Sequence, residues 1–168
     1  HPVTEAITGQ DLVEWQLRVA SGEPLPKRQF EISMDGWAME ARLYAEDPEK
    51  GFLPSTGSLD YFELPYGIRV DTGVAEGATV SRFYDPMIAK LIATGVNRNE
   101  AREQLAEACK SIQVQPVRTN AEFLVRLLES QAFVDAEIDT GLIERSLDRL
   151  VEREVPDARL LSAGALLL

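Results

Sequence analysis

The chain has 168 residues, about one domain by length, and its 45% hydrophobic and 27% charged residues exclude disordered, collagen-like and low-complexity classes. Seventeen basic against 28 acidic side chains leave a net charge of −11, a field that repels nucleic-acid backbones and anionic lipid surfaces, so neither is expected as a partner. A single cysteine, Cys109, and a single histidine, His1, exclude an internal disulfide, a Cys/His metal site and a histidine-based nucleophile, and suit a reducing compartment.

The chain opens at His1 with no charged and then apolar leader, the pattern of an excised piece. Thr8 with Asp11 reads as a capping box, and Ile7 with Leu12 as the accompanying staple. A helix over 9–21 follows, with Leu12, Val13, Trp15, Leu17, Val19 and Ala20 on a broad apolar face expected to lie against a core, and with Gly22 and Pro24 as its stop. Phe30, Ile32 and Met34 alternate with polar residues, and Asp35-Gly36 is a two-residue turn signal. Alternation resumes through Trp37, Met39, Ala41, Leu43 and Ala45, so a β-hairpin is expected. Glu40, Arg42, Tyr44 and Glu46 then share the face opposite the apolar stripe.

Residues 47–57 have the Pro and Gly density of a loop, and strands are expected at 58–64, 68–73, 79–84 and 87–94, paired antiparallel because the connections are short. Asn97 with Glu100 starts a helix carrying Ala101, Leu105, Ala108, Cys109 and Ile112. Thr119 with Glu122 starts another, through about 130. A last helix over 141–152, capped by Thr140 or Asp139, carries Leu142, Ile143, Leu147, Leu150 and Val151. Helix, strands, then helices make the fold class α+β, a mainly antiparallel sheet flanked by helices. The apolar run at 160–168 is too short to span a bilayer and reads as an interface cut off from its partner.

No two of the eleven glycines stand two apart, so neither a G-x-G-x-x-G nor a Walker-type loop is present to cradle phosphate. Cys109 lies on the apolar stripe of its helix and reads as an inert core thiol. Lys90, between Ile88 and Ile92 on its strand face, is paired with Asp85 or snorkels to the edge. Trp15 and Trp37 read as packing residues. Arg42 has two readings. A guanidinium on a sheet face can hold a developing oxyanion, or it can form an ordinary surface pair with Glu40 or Glu46.

The runs HPVTE at 1–5, ITG at 7–9, DLV at 11–13, GWAMEARLYAEDP at 36–48, FLPSTG at 52–57 and YDPMIAKLI at 84–92 resemble the C-terminal domain of biotin carboxylase, in order and over about residues 1–151. Their wording is most similar to the biotin-containing alpha subunits of acyl-CoA carboxylases of the propionyl-CoA or 3-methylcrotonyl-CoA type. Residues 152–168 then begin the following linker or domain. The resemblance implies a ligase that uses ATP and bicarbonate to carboxylate N1 of biotin, with magnesium. The ATP-grasp region, the magnesium carboxylates and the bicarbonate base would precede His1, so the fragment is expected to be inactive alone. Arg42, as the arginine of the EARLYAEDP motif, is implied to stabilise the biotin enolate, which makes it both catalytic and substrate-binding. Thr140 matches a position bordering the adenine pocket, and its plainer role is a helix cap. Arg69 and Asp85 fall near segments used in family dimer contacts, where surface pairing is the alternative. The implied partners are the preceding ATP-grasp portion, a biotin carboxyl carrier domain and a carboxyltransferase beta subunit, in the cytoplasm or, in a eukaryote, the mitochondrial matrix. Two other classes stay open: a non-catalytic scaffold domain, and the C-terminal domain of another ATP-grasp ligase.

Overall fold

A computed structural model of the protein describes residues 1–152. The chain begins with two helices rather than one. Pro2 sits at the start of α1 (Pro2–Thr8), and Gly9, at φ 64°, ends it in the left-handed conformation that a glycine adopts without steric cost. Asp11, not Thr8, caps α2 (Leu12–Ala20), its carboxylate accepting the Glu14 N–H at 2.9 Å, while the Thr8 hydroxyl donates back to the Thr4 carbonyl. The expected helix over 9–21 is thereby corrected at its start. Its orientation is corrected as well: α2 buries no residue, and Val13 and Leu17 lie on the surface.

The expected hairpin does not form. Residues Gln29–Glu31 make a single 3-10 turn, and Phe30 and Met34 are exposed. The Asp35 N–H donates to the Ile7 carbonyl, and Gly36, at φ 68°, feeds the chain into β1 (Trp37–Tyr44). A Cβ at Gly36 would stand 3.0 Å from the Gly95 carbonyl oxygen, because β1 runs against a strand far along the chain. A turn signal is local. It loses here to an eight-residue ladder whose partner strand is the more buried of the pair.

The remaining elements are β2 (Glu46–Asp47), β3 (Leu53–Pro54), β4 (Gly57–Glu63), β5 (Arg69–Thr72), β6 (Thr79–Val80), β7 (Met87–Gly95), α3 (Arg98–Lys110), β8 (Gln113–Pro116), α4 (Ala121–Glu129), α5 (Gln131–Val134) and α6 (Leu142–Val151). All pairs are antiparallel, as expected. Their order is β1-β7-β5, β6-β4-β8 and β2-β3, so strands adjacent in sequence are mostly not neighbours in the sheet. β7 is the centre of its sheet, and α3 and α1 both pack on the β1–β7 pair. Leu43, Leu59, Leu91, Leu105 and Cys109 are sealed in the core, each such leucine contributing about 1.5–3 kcal/mol by burial. The α+β class stands. Residues 153–168, which hold the expected apolar interface and nearly all of the expected following segment, lie outside the described residues.

α3 starts as the sequence predicts, with Asn97 accepting the Glu100 N–H and the Glu100 carboxylate accepting the Val96 N–H. α4 starts one residue later than Thr119, at Asn120. α6 takes no cap from Thr140. Asp139 accepts the Gly141 N–H instead, and the same carboxylate oxygen accepts from Arg145 at 2.9 Å.

Candidate functional site

β1 is an edge strand, and its free side is closed over Arg42–Tyr44 by one buried side chain. Asn120, at the start of α4, donates from Nδ2 to the Arg42 carbonyl at 3.1 Å and accepts the Tyr44 N–H at Oδ1 at 2.9 Å. Its own N–H donates to the Tyr44 carbonyl at 3.2 Å. An asparagine thus completes the edge as a neighbouring strand would, satisfying backbone groups that would otherwise be unpaired. Sequence reading passed over Asn120 in favour of Thr119. The one local signal was an asparagine immediately ahead of an apolar-periodic helix.

A groove of about 560 Å³ runs along this edge, lined on the strand side by Glu40, Arg42, Tyr44 and Glu46 and on the helix side by Leu127 and Ile138 among others. The shared face predicted for Glu40, Arg42, Tyr44 and Glu46 is therefore one wall of a single cavity. Two arginines line it: Arg98, which donates to the Phe133 and Val134 carbonyls, and Arg42 on β1. The side chain is 58% exposed, and Nε donates to Glu40 Oε1 at 3.1 Å. The Glu40 carboxylate first, and then the Tyr44 phenol, hold the guanidinium above its ordinary pKa. Arg42 makes the surface pair, with Glu40, and its side chain also lines a concave surface. Burial, and then the nearby Asp85 charge, push the Glu46 carboxyl up from its ordinary value.

A larger cavity, about 660 Å³ beside α1 and β5, has Glu5 and Arg69 in its lining. Arg69 forks onto Asp71 at 2.9 and 2.8 Å and reaches Glu5 at 2.8 Å, which is the surface-pairing alternative. Lys90 lies opposite Arg42 on one side and Asp71 on the other, and its charge helps depress the Asp71 carboxyl, so its acidic neighbour is Asp71 rather than Asp85. Asp85 accepts the Met87 N–H instead. Trp37 is half exposed at the sheet end, contrary to a packing role, because β1 begins at the rim of the sheet. Trp15 is partly buried on α2. Cys109 is the expected core thiol, its pKa pushed up to about 12 by burial. Thr140 is exposed in the turn before α6 and is not part of the Arg42 groove. Among the described residues there is no group of three or more His, Cys, Asp or Glu that could hold a metal ion, and no helix is long and apolar enough to cross a membrane.

Residues 40–145 match the family of the biotin carboxylase C-terminal domain, and residues 1–28 match the carbamoyl-phosphate synthase L chain ATP-binding domain. The chain is 52% identical over 147 residues to the alpha subunit of the mitochondrial methylcrotonoyl-CoA carboxylase of Arabidopsis thaliana, covering 86% of this chain and 20% of that one. It is 45% identical over 149 residues to biotin carboxylase 2 of Bacillus subtilis, covering 88% of this chain and 33% of that one. In structure it superposes with a TM-score of 0.87 at 35% identity on the biotin carboxylase domain of the 2-oxoglutarate carboxylase of Hydrogenobacter thermophilus, a crystal structure in complex with MgADP, ADP and bicarbonate. That match covers 92% of this chain and 34% of the other. The chain thus spans between a fifth and a third of the relatives it matches. With the family match running from Glu40 at the groove through α3, α4 and the start of α6, the chain belongs to the biotin carboxylase C-terminal domain family.

Proposed function

We propose that this chain is the C-terminal part of a biotin carboxylase within an acyl-CoA carboxylase alpha subunit, in which Arg42 stabilises the negative charge that develops on the ureido oxygen of biotin as N1 loses its proton and takes the carboxyl group. The observation that carries this reading is the placement of Arg42 on the wall of the edge groove, solvent-accessible and held by Glu40. A preorganised donor aimed at a developing oxyanion acts without reorganisation during the reaction, and removing one such donor costs about 10²–10³ in rate. The donor set fits a urea-like group: a fixed cation with apolar Leu127 and Ile138 opposite for the uncharged ring system.

ATP, bicarbonate and magnesium belong, on this reading, to an ATP-grasp portion preceding the chain. Two observations support it. Residues 1–28 match an ATP-binding domain family, and α2 within that stretch carries an apolar face that the described residues leave exposed. Large exposed apolar surface marks an interface, and here the rest of the ATP-binding portion is its fitting occupant. Thr140, two residues from the groove residue Ile138, then borders the adenine side of that joined site. A biotin carboxyl carrier domain would deliver biotin to the groove, and a carboxyltransferase beta subunit would accept the carboxyl group. The compartment is the cytoplasm, or the mitochondrial matrix in a eukaryote.

The test is bicarbonate-dependent ATP cleavage stimulated by free biotin, in a polypeptide that joins the ATP-binding portion to this chain. Arg42→Ala is expected to lower the biotin-stimulated rate by about 10²–10³ while the folded state persists. Arg42→Lys is expected to restore only part of it, since a point ammonium does not reproduce the planar fork. An unchanged rate in Arg42→Ala would leave the chain as a structural lid.

A further inference from the structure

We propose that Glu40 is the positioning residue for Arg42, holding the guanidinium on the groove wall before substrate arrives; the inference rests on the enolate-stabilising reading of Arg42. Three features of one sheet face point to it. Glu40 and Arg42 stand two apart on β1, so their side chains leave the same face, and the recorded bond goes through Nε. Glu40 therefore does not occupy the terminal Nη1–Nη2 edge, the edge suited to a substrate oxygen. The anchor is also the more buried partner, Glu40 being 17% exposed against 58% for Arg42.

The other charges on this face leave Glu40 in that role. Directly across from Arg42 on β7 is Lys90, a like charge that repels the guanidinium from that side. Beyond Lys90 on β5 is Asp71, but Arg69 engages both of its carboxylate oxygens. Arg69 itself lies in the same cross-strand row as Glu40, with Ile92 between them, and its guanidinium is held by Asp71 and Glu5. Arg69 and Asp71 thus satisfy one another, and of the carboxylates on the groove wall, Glu40 and Glu46, Glu40 is the one paired with Arg42, with the Tyr44 phenol as a second hold. Without the anchor, a long exposed side chain samples several rotamers, and holding it for catalysis costs conformational entropy. Misplacing a catalytic group by about 1 Å can cost roughly 10²-fold.

The experiment uses the joined polypeptide described above and measures the biotin-stimulated rate for Glu40→Ala and Glu40→Gln, each alone and combined with Arg42→Ala, with thermal unfolding followed in parallel. Glu40→Ala is expected to lower the rate about 10- to 100-fold in the parent and to change it by less than about twofold in the Arg42→Ala background, because a residue acting through Arg42 has nothing left to position. Glu40→Gln keeps an oxygen that can accept from Nε and is expected to recover part of the loss, which also covers the case in which the alanine variant fails to fold. A parent-like rate in Glu40→Ala, or an equal loss in both backgrounds, overturns the positioning role while leaving Arg42 in place. A parent-like rate in Arg42→Ala overturns the underlying reading instead.

Discussion

Asn120 shows how much a single buried polar side chain can decide. It sits 76 residues from Tyr44 in sequence and yet supplies hydrogen bonds that hold the backbone on both sides of Leu43, directly after Arg42. Asn120→Ala strands the Tyr44 N–H and the Arg42 carbonyl in a part-buried edge. Leaving such groups unsatisfied costs about 1–3 kcal/mol. For a domain of this size each kcal/mol lowers Tm by roughly 2–4 °C, so calorimetry is expected to show a drop of several degrees. The biotin-stimulated rate is expected to fall with it, because the strand that carries Arg42 loses its brace. A full-rate, full-stability Asn120→Ala would show that water replaces the side chain at the edge. The contrast with Arg42 is instructive. The face of Arg42 follows from strand alternation alone, whereas the importance of Asn120 depends on where α4 docks.

Among the elements, β7 and α3 are the pair that strand and cap signals described most closely. Their junction depends on Gly95, where a Cβ would stand 2.6 Å from the Ala101 nitrogen and 2.9 Å from the Glu100 Cβ. Both are closer than real side chains come, and the Ala101 nitrogen is backbone. Gly95→Ala must therefore shift the first turn of α3 off the end of β7, and overpacking of this kind costs about 1–3 kcal/mol. Gly73, with nothing within 4 Å of an added Cβ, is the control. The expected outcome in denaturant unfolding is a clearly lower midpoint for Gly95→Ala and little change for Gly73→Ala. Equal midpoints would mean that the junction relaxes freely. The elements that sequence reading misplaced share a different property. The single helix over 9–21 and the hairpin through Asp35-Gly36 were inferred from apolar spacing, and in both cases apolar side chains expected in a core lie on the surface of this chain: Val13, Leu17, Phe30 and Met34.

At the scale of the whole molecule, the Glu5–Arg69–Asp71 network ties the first helix to the sheet, and Glu5 also accepts the Leu12 N–H, linking α1 to α2. Hydrogen bonding to Arg69 lowers the Glu5 and Asp71 carboxyl pKa values in the folded state. The sign follows directly: a depressed carboxyl pKa means the unfolded chain binds more protons, so this stabilisation is complete above the unfolded carboxyl range and is lost as pH falls through the lower folded values. Arg69→Ala is expected to lower stability near pH 7 by about 0.5–1 kcal/mol, a modest figure because Arg69 is about half exposed. The gap from the parent is expected to close below about pH 4. A gap independent of pH would assign the effect to lost packing of the arginine stem instead.

The sequence by itself determined what depends on near neighbours. The cap at Asn97, the strands around β1, β4, β5 and β7, the core placement of Cys109, the common face of Glu40 and Arg42 and the family of the chain were legible, because caps, alternation and motif runs are set within a few residues, whereas the cap at Asp11, the short β6 and the strands β2, β3 and β8 were not. The tertiary structure alone decided that β1 pairs with β7 across some fifty residues, that Asn120 completes the β1 edge, that Arg69 takes Glu5 and Asp71, and that the apolar face of α2 is left exposed by the described residues. These outcomes turn on competition between distant partners. Closing a long loop costs only slightly more than closing a short one, so a well-buried distant strand can outcompete a local turn, and no short-range pattern reports who the competitors are.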